Sequence, residues 1–314
     1  MKKVTLLFLA GFLPLLVFAQ DIEKVAKAKD EAKVGAVPDT VKHWNVTGTG
    51  SLALTQAAFS NWAAGGENSV GLNAFINLKA NYHKGRHAWG NTIDLGYGFN
   101  TQGKGKEMNL VKTNDKIELT TAYGYAFSKN KKWLVTVLAN LRTQFSAGYN
   151  YPDDSTVISN FMSPGYLVIG PGITYAPVKW FYAYLSPCSG RFTFVLDKKL
   201  SDSGSFGVDP GKQVRGEFGP YFRADLNKDF GKSVNLATTL ELFTDYLHKF
   251  GNIDVNWSFL VALKVNKWLA ASLQTQLIYD DDVIIKSSPT EEGGPRTQFK
   301  ELFGLGLTYS FGHP

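Results

Sequence analysis

Long stretches of this chain alternate between apolar and polar residues with a period of two. In residues 253–265, every odd position carries a large apolar side chain, whereas the even positions are mostly polar or small. Residues 133–149 alternate in the same way, with Val135 and Val137 on one face and Thr136 on the other. A period of two places successive side chains on opposite faces of a β-strand. The pattern therefore predicts strands with one apolar and one polar face.

The same alternation recurs along most of the chain and predicts about twelve strands. The predicted segments are 44–59, 68–84, 86–101, 113–128, 133–149, 163–176, 180–197, 212–229, 232–247, 253–265, 267–280 and 299–311. A transmembrane β-strand needs about ten alternating residues, and bacterial single-chain barrels have an even number of strands. We therefore predict an all-β protein whose residues 44–314 form a transmembrane antiparallel up-and-down β-barrel.

The connections between predicted strands alternate in length, which separates a membrane barrel from a soluble sandwich. The short connections lie at 83–86, 129–132, 177–179, 229–232 and 266–267. The long connections lie near 100–112, 150–162, 197–211 and 280–298. Barrels of the outer membrane have short periplasmic turns and longer outer loops. This alternation favours the membrane barrel.

Tryptophans recur at the starts of odd-numbered predicted strands and are expected to form an interface girdle on one rim. They are Trp44, Trp89, Trp133, Trp180 and Trp268. Tryptophan favours the lipid–water interface because its ring is apolar and its N–H can stay hydrated. The segment Phe303–Phe311 resembles the C-terminal signal strand of outer-membrane barrels, although Gly312–Pro314 extend past it. We expect this strand to close the barrel by pairing with the first strand.

The first 43 residues do not alternate. Residues 1–19 have a basic start, an apolar core and small residues at the end, which predicts a signal peptide cleaved after Ala19. A retained anchor is disfavoured because the apolar run is shorter than the roughly 20 residues needed to span a bilayer. Residues 20–43 are charged and helix-prone and are predicted to be a periplasmic leader. A lumen plug or a docking segment is the alternative.

Composition limits the partners of the chain. The formal net charge is +6, but the basic residues are spread out, so no nucleic-acid partner is expected. The single cysteine, Cys188, cannot form an internal disulfide. The expected partners are outer-membrane lipid and the barrel assembly machinery, with an unidentified envelope protein as a further possibility.

The most distinctive segment, Asn61–Ser69, joins the first two predicted strands and reads Asn-Trp-Ala-Ala-Gly-Gly-Glu-Asn-Ser. This segment resembles the specific motif of a family of outer-membrane barrels from Bacteroidota classed as a domain of unknown function, and Leu185–Gly190 is similar to a second motif. The resemblance implies a location and a fold, without a catalytic residue. The two glycines permit a tight reversal, which favours a structural loop. The alternative is a recognition element, and the candidate residues are Asn61, Trp62, Gly65, Gly66, Glu67 and Asn68.

Charged residues on the polar face of the strands are predicted to line the lumen. The basic ones are Lys79, Lys116, Arg142, Arg215, Arg223 and Lys264, and the acidic ones are Asp94, Glu118, Glu217, Asp225, Glu241 and Asp254. Buried charges persist only when they are paired or hydrated. The lumen is therefore either sealed by salt bridges or a polar channel. Arg142, Glu118, Arg215 and Glu217 are expected to pair across neighbouring strands.

No residue set predicts catalysis, and no cofactor or metal is expected. A lipid-acting enzyme needs a nucleophile, a base and an orienting group within reach of one another, and no serine–histidine pair stands out. The loop residues Asp280–Asp282 with Glu291 and Glu292 offer hard oxygen ligands for calcium, but such clusters are more often solvated loops. The pattern favours a narrow polar channel or porin-like protein. The alternatives are a non-catalytic structural or partner-binding barrel and, third, a lipid-acting enzyme.

Overall fold

A computed structural model describes residues 43–57, 69–102, 109–151, 153–231, 233–264, 270–285 and 293–311. The predicted signal peptide and its cleavage after Ala19, most of the predicted leader, the motif residues 61–68, and Trp268, Glu291 and Glu292 lie outside the described residues. Within these residues, no helix is both long enough and apolar enough to cross a membrane.

Twelve strands form one closed antiparallel ring. They are β1 (Trp44–Ala57), β2 (Ser69–Lys84), β3 (His87–Gln102), β4 (Asn109–Ala126), β5 (Trp133–Thr143), β8 (Gly165–Val178), β9 (Phe181–Phe194), β10 (Val214–Phe230), β11 (Val234–Phe243), β12 (Asp254–Lys264), β13 (Ala270–Tyr279) and β16 (Gln298–Phe311). Each strand pairs with its neighbours along the chain, and β16 pairs with β1 from Gly48↔Phe311 to Ala53↔Gly306. The predicted antiparallel up-and-down barrel and its closing pair are confirmed.

Short connections lie at one end of the barrel, here called the turn end, and long connections lie at the other, the loop end. Only Gly85 and Arg86 separate β2 from β3, and only Lys179 and Trp180 separate β8 from β9. The loop end carries the smaller elements. They are the hairpins β6 (Gly148–Tyr149) with β7 (Val157–Ser159) and β14 (Ile284–Ile285) with β15 (Gly294–Pro295), helix α1 (Lys198–Asp202) and the 3₁₀ turn Ser205–Gly207.

The barrel is apolar outside, and its interior combines polar side chains with an apolar cluster that includes Leu134 and Leu138. On β5, Val135 and Val137 point outward and remain about half exposed, whereas Thr136 and Asn140 on the lumen face are almost completely buried. The same alternation continues around the ring. The exterior therefore presents a band of exposed apolar side chains. Such a band is stable against lipid rather than water. The fold is therefore a transmembrane β-barrel.

The predicted strand 133–149 is shorter in the structure than its sequence pattern. The alternation ran from 133 to 149, but β5 ends at Thr143. The carboxylate of Asp115 accepts hydrogen bonds from the backbone N–H groups of Phe145 and Ser146, at 2.6 and 3.0 Å. A side chain that binds backbone donors in this way competes with strand pairing, and here it ends the strand.

Candidate functional site

The lumen contains a cavity of about 560 Å³. Along β12 the cavity extends from Asp254 at the loop end to Ala262, close to the turn end. At about 3.3 Å per residue, this stretch of strand covers roughly 26 Å. The lining is mixed, and many of its polar side chains are amides and hydroxyls, which offer hydrogen-bonding groups to a solute. They include Asn77, Asn114, Asn256, Ser258, Ser272, Gln274 and Gln276.

Among the described residues, three loops border the cavity at the loop end. Ser159 of β7, Phe206 of the 3₁₀ turn and Val283 before β14 all contribute to its lining. Phe206 also packs against the small core of Val195 and Leu200, which holds its loop against the barrel. At this end the cavity is therefore bordered by a ring that packs against a core of its own loop.

An ion-pair network beside the cavity is centred on Glu241 of β11, which itself lines the cavity. Its Oε1 accepts hydrogen bonds from Arg223 Nη1 at 2.7 Å and from the Tyr221 hydroxyl at 2.5 Å. Its Oε2 contacts Arg142 Nη1 at 2.7 Å and accepts from the Asn256 amide at 2.5 Å. The side chain of Arg223 is fully buried. A carboxylate shared by two guanidinium groups and two neutral donors is well compensated inside a barrel.

Arg142 does not pair with a neighbouring strand, contrary to the prediction. Its partner Glu241 lies on β11, and β8, β9 and β10 separate that strand from β5. Glu118, which lies opposite Arg142 in the β4–β5 register, instead contacts Lys116 at 2.5 Å and accepts from the Asn140 amide at 2.9 Å. Strand register alone predicted the pair Arg142–Glu118, which is wrong because long side chains in the lumen can reach across the barrel.

A second network surrounds Arg191 of β9. Its guanidinium binds both carboxylate oxygens of Glu217, at 2.7 and 2.5 Å, and also bonds Asp254. The same guanidinium lies over the ring of Phe243, 4.4 Å from the centroid. Glu217 on the adjacent strand therefore does pair across neighbouring strands, but its main partner is a residue that the sequence interpretation missed.

A β-bulge explains why Arg191 was missed. Pro187 and Cys188 of β9 oppose the single residue Pro220 of β10, which shifts the register between Gly219 and Tyr221. An extra residue reverses the side-chain alternation beyond it. Tyr182 and Tyr184 face the lumen before the bulge, and Arg191 faces it afterwards. A proline inside a predicted strand was the available signal.

The loop end carries a cluster of acidic residues that nearby cations compensate. Carboxylate oxygens of Asp254, Asp280 and Asp281 lie within 4.8 Å of one another. Arg191 contacts Asp254 and Asp280, and Lys249 Nζ lies 3.0 Å from Asp281. Burial opposes ionisation of Asp281, but hydrogen bonds from Asn252 and Lys249 outweigh it and lower the pKa of Asp281. These ion pairs supply the charge that a bound cation would otherwise provide.

The predicted lumen charges are placed as follows. On the lumen side of the strands lie Lys79, Asp94, Lys116, Glu118, Arg142, Arg215, Glu217, Arg223, Asp225, Glu241 and Asp254. Lys264 ends β12, and its side chain lies outside the described part. Arg215 contacts Asp282 of the β13–β14 connection at 2.5 Å, so it ties a loop to the barrel wall.

Four of the five girdle tryptophans can be placed, and all lie near the turn end. Trp44, Trp89, Trp133 and Trp180 are each exposed on the outside. The rings of Trp44 and Trp89 are 5.7 Å apart, and Trp133 stacks on Tyr175 at 4.3 Å. Trp89 donates its N–H to Thr121 at 2.9 Å, which satisfies the polar atom of the ring.

Comparison with known proteins finds outer-membrane barrels of low similarity and one partial family match. An outer membrane channel from Pseudomonas putida F1 is 15% identical, with 90% of this chain and 99% of that chain covered and a TM-score of 0.39. The NanC porin is 8% identical, with 83% and 98% covered and a TM-score of 0.34. The translocator domain of the autotransporter NalP from Neisseria meningitidis is 10% identical, with 91% and 92% covered and a TM-score of 0.30. These TM-scores are too low to bear on function.

Two further comparisons were made with the sequence, one with curated proteins and one with family models. The curated proteins contain no match. Residues 54–149, fewer than half of the chain, match the family described as "Protein of unknown function (DUF3078)". This range includes the Asn61–Asn68 segment, and over it the chain is similar to a family whose description assigns no activity.

Proposed function

We propose that this protein is an outer-membrane channel for small polar solutes. The observation that carries the proposal is the cavity of about 560 Å³, which follows β12 through most of the barrel. The amides and hydroxyls in its lining let a hydrophilic solute exchange its hydrogen bonds with water for bonds to the wall.

The number of strands supports a narrow path. Eight-stranded barrels are filled by their own side chains, and barrels of 16 to 18 strands enclose an aqueous channel. Twelve strands lie between these cases, and here one part of the lumen is packed while the other part is open. A solute of a few heavy atoms fits this geometry better than a large substrate does.

The proposed orientation follows from the two ends of the barrel. The predicted signal peptide directs the chain out of the cytoplasm, and the short turns face the periplasm in barrels of the outer membrane. The turn-end tryptophans would then sit at the periplasmic interface. The loops that border the cavity would face the outside of the cell.

A structural barrel without conduction is the second candidate. The fully buried Arg223 and the cross-lumen pair of Arg142 with Glu241 favour it, because they pack much of the lumen. In that case the loops would bind another envelope component.

Single-channel recording separates the two candidates. Purified protein, refolded into a planar bilayer, is expected to give discrete conductance steps. Gln274→Trp places a large ring in the cavity and should lower the conductance, whereas Thr275→Trp adds the same ring on the outer face of β13 and should not. A correctly folded protein without steps would favour the structural barrel.

A further inference from the structure

Lys300 of β16 differs in its partner from the other described cations that line the cavity. Its Nζ donates to Asn114 Oδ1 of β4 at 2.9 Å, and β1, β2 and β3 separate these two strands in the ring. The lysine therefore extends over the lumen, and both residues line the cavity. Unlike Arg142 and Arg191, Lys300 contacts a neutral amide rather than a carboxylate.

The electrostatic surroundings of Lys300 are unfavourable for its charge. Among the residues that the structure describes, no carboxylate lies within ion-pair distance of Lys300, and the like charge of Lys116 is near it. The charge of Lys116 is itself matched by Glu118 at 2.5 Å. Lys300 thus brings one uncompensated positive charge into a half-buried cavity, where such a charge is costly without a counter-ion.

Local packing holds this arrangement in place. A Cβ atom on Gly96 of β3 would lie 2.7 Å from the amide nitrogen of Asn114, so a side chain at this position would displace the amide. Asn114 is itself 8% exposed. The ammonium group of lysine has three donors, and the contact with Asn114 uses one of them. Within the described part of the chain the other two have no partner, so they can bind a ligand in the cavity.

We propose that Lys300, held by Asn114 and placed near Lys116, binds a small anion that bears a carboxylate or phosphate group. The anion supplies the missing negative charge and accepts hydrogen bonds from the free donors of Lys300. A role of this site in transport rests on the proposed channel function. In that role, the site selects anionic solutes among the polar solutes that fit the cavity. The positive charge of Lys300 attracts anions to its own part of the cavity.

The first test measures binding without conduction. Inorganic phosphate is titrated with refolded protein in detergent micelles, and its ³¹P line width is recorded. Wild-type protein should broaden the line at low millimolar or lower phosphate. Lys300→Met should weaken binding about tenfold or more, and Lys300→Arg should retain it. Lys198→Met removes the same charge from the exposed helix α1 and is the matched control, so it should bind as wild type.

A second variant tests the site with Lys300 in place. Asn114→Asp puts a carboxylate at the atom that Lys300 already contacts and has almost the same size. This internal anion should displace phosphate. If wild type fails to bind phosphate, or if both Lys300→Met and Asn114→Asp bind it as wild type does, the proposal is wrong.

The conductance of the same variants distinguishes failure of the site from failure of the channel. In a KCl gradient, Lys300→Met should shift the reversal potential toward cation preference, whereas Lys198→Met should not. Phosphate binding that depends on Lys300 in a protein without conductance would retain the site and reject the channel. Conductance with no Lys300-dependent binding or selectivity would retain the channel and reject the site.

Discussion

Arg142 of β5 reaches across the lumen to Glu241 of β11, with 2.7 Å between Nη1 and Oε2. The same carboxylate holds the fully buried Arg223 through its other oxygen. One acidic side chain thereby joins a cation that borders the open cavity to a cation that packs the closed part of the lumen. The two arginines are therefore expected to differ in what they contribute.

Removal of Arg223 should mainly cost stability. Arg223→Met removes the cation that contacts Asp225 and one of the two that contact Glu241 in a buried site, where loss of one partner costs roughly 3–5 kcal/mol. Lys198→Met breaks an exposed pair with Asp202, which contributes only about 0–1 kcal/mol. Urea unfolding in lipid vesicles, followed by tryptophan fluorescence, measures both. Equal unfolding midpoints for the two variants would contradict the buried network.

Removal of Arg142 should mainly change conduction. In Arg142→Met, Glu241 keeps Arg223, Tyr221 and Asn256 as partners, so the loss of stability should be smaller than in Arg223→Met. The lost cross-lumen contact exposes the negative charge of Glu241 to the cavity. Single-channel recording should therefore show a higher conductance and a shift toward cations. Unchanged current and selectivity would place Arg142 outside the solute path.

The ion pair between Lys249 and Asp281 should be lost in strong acid and in strong base. Hydrogen bonds that outweigh burial lower the pKa of Asp281 below its usual value of about 3.9, so its contribution is present above that value and is lost as the pH falls through the folded pKa. The hydrogen bond and ion pair with Asp281 raise the pKa of Lys249 above 10.5. The stability that Lys249 contributes is therefore present below pH 10.5 and is lost as the pH rises through the folded pKa.

Spin labels on the β11–β12 and β13–β14 connections measure this contact as a distance distribution. The distribution should stay narrow between about pH 5 and 9 and broaden in stronger acid or base. Asp281→Asn removes the acid transition and should broaden the distribution at neutral pH, while Lys198→Met on α1 should have no effect. A distribution that narrows on acidification would contradict the sign of the effect.

The sequence predicted the barrel well because a period of two is a local signal that each strand repeats. The contacts in the lumen were harder to predict, because they depend on the order of the strands and on how far each side chain extends. Arg142 and Glu241 are 99 positions apart, and nothing local connects them. Arg191 was hidden by a single bulge at Pro187 and Cys188, which reverses the alternation halfway along β9. The cavity itself could not be predicted, because it results from which lumen side chains pair with one another.

The orientation of the barrel can be tested by labelling in intact cells. The native Cys188 is half-buried, so it is first replaced by serine. A cysteine is then introduced at Lys198 in α1, at the loop end, or at Lys131 in the β4–β5 turn, at the turn end. A membrane-impermeant maleimide should label the Lys198→Cys protein on whole cells, because the long loops face outward in the proposed orientation.

The Lys131→Cys protein should be labelled only after the outer membrane is opened. This site is a suitable comparison because Lys131 lies in a turn with positive φ between two well-formed strands, where cysteine changes little of the barrel wall. Labelling after lysis shows that both thiols can react and that their difference in whole cells comes from the membrane. If Lys131→Cys reacts on intact cells and Lys198→Cys does not, the barrel is inverted. If both react equally before lysis, the chain does not span the outer membrane as proposed.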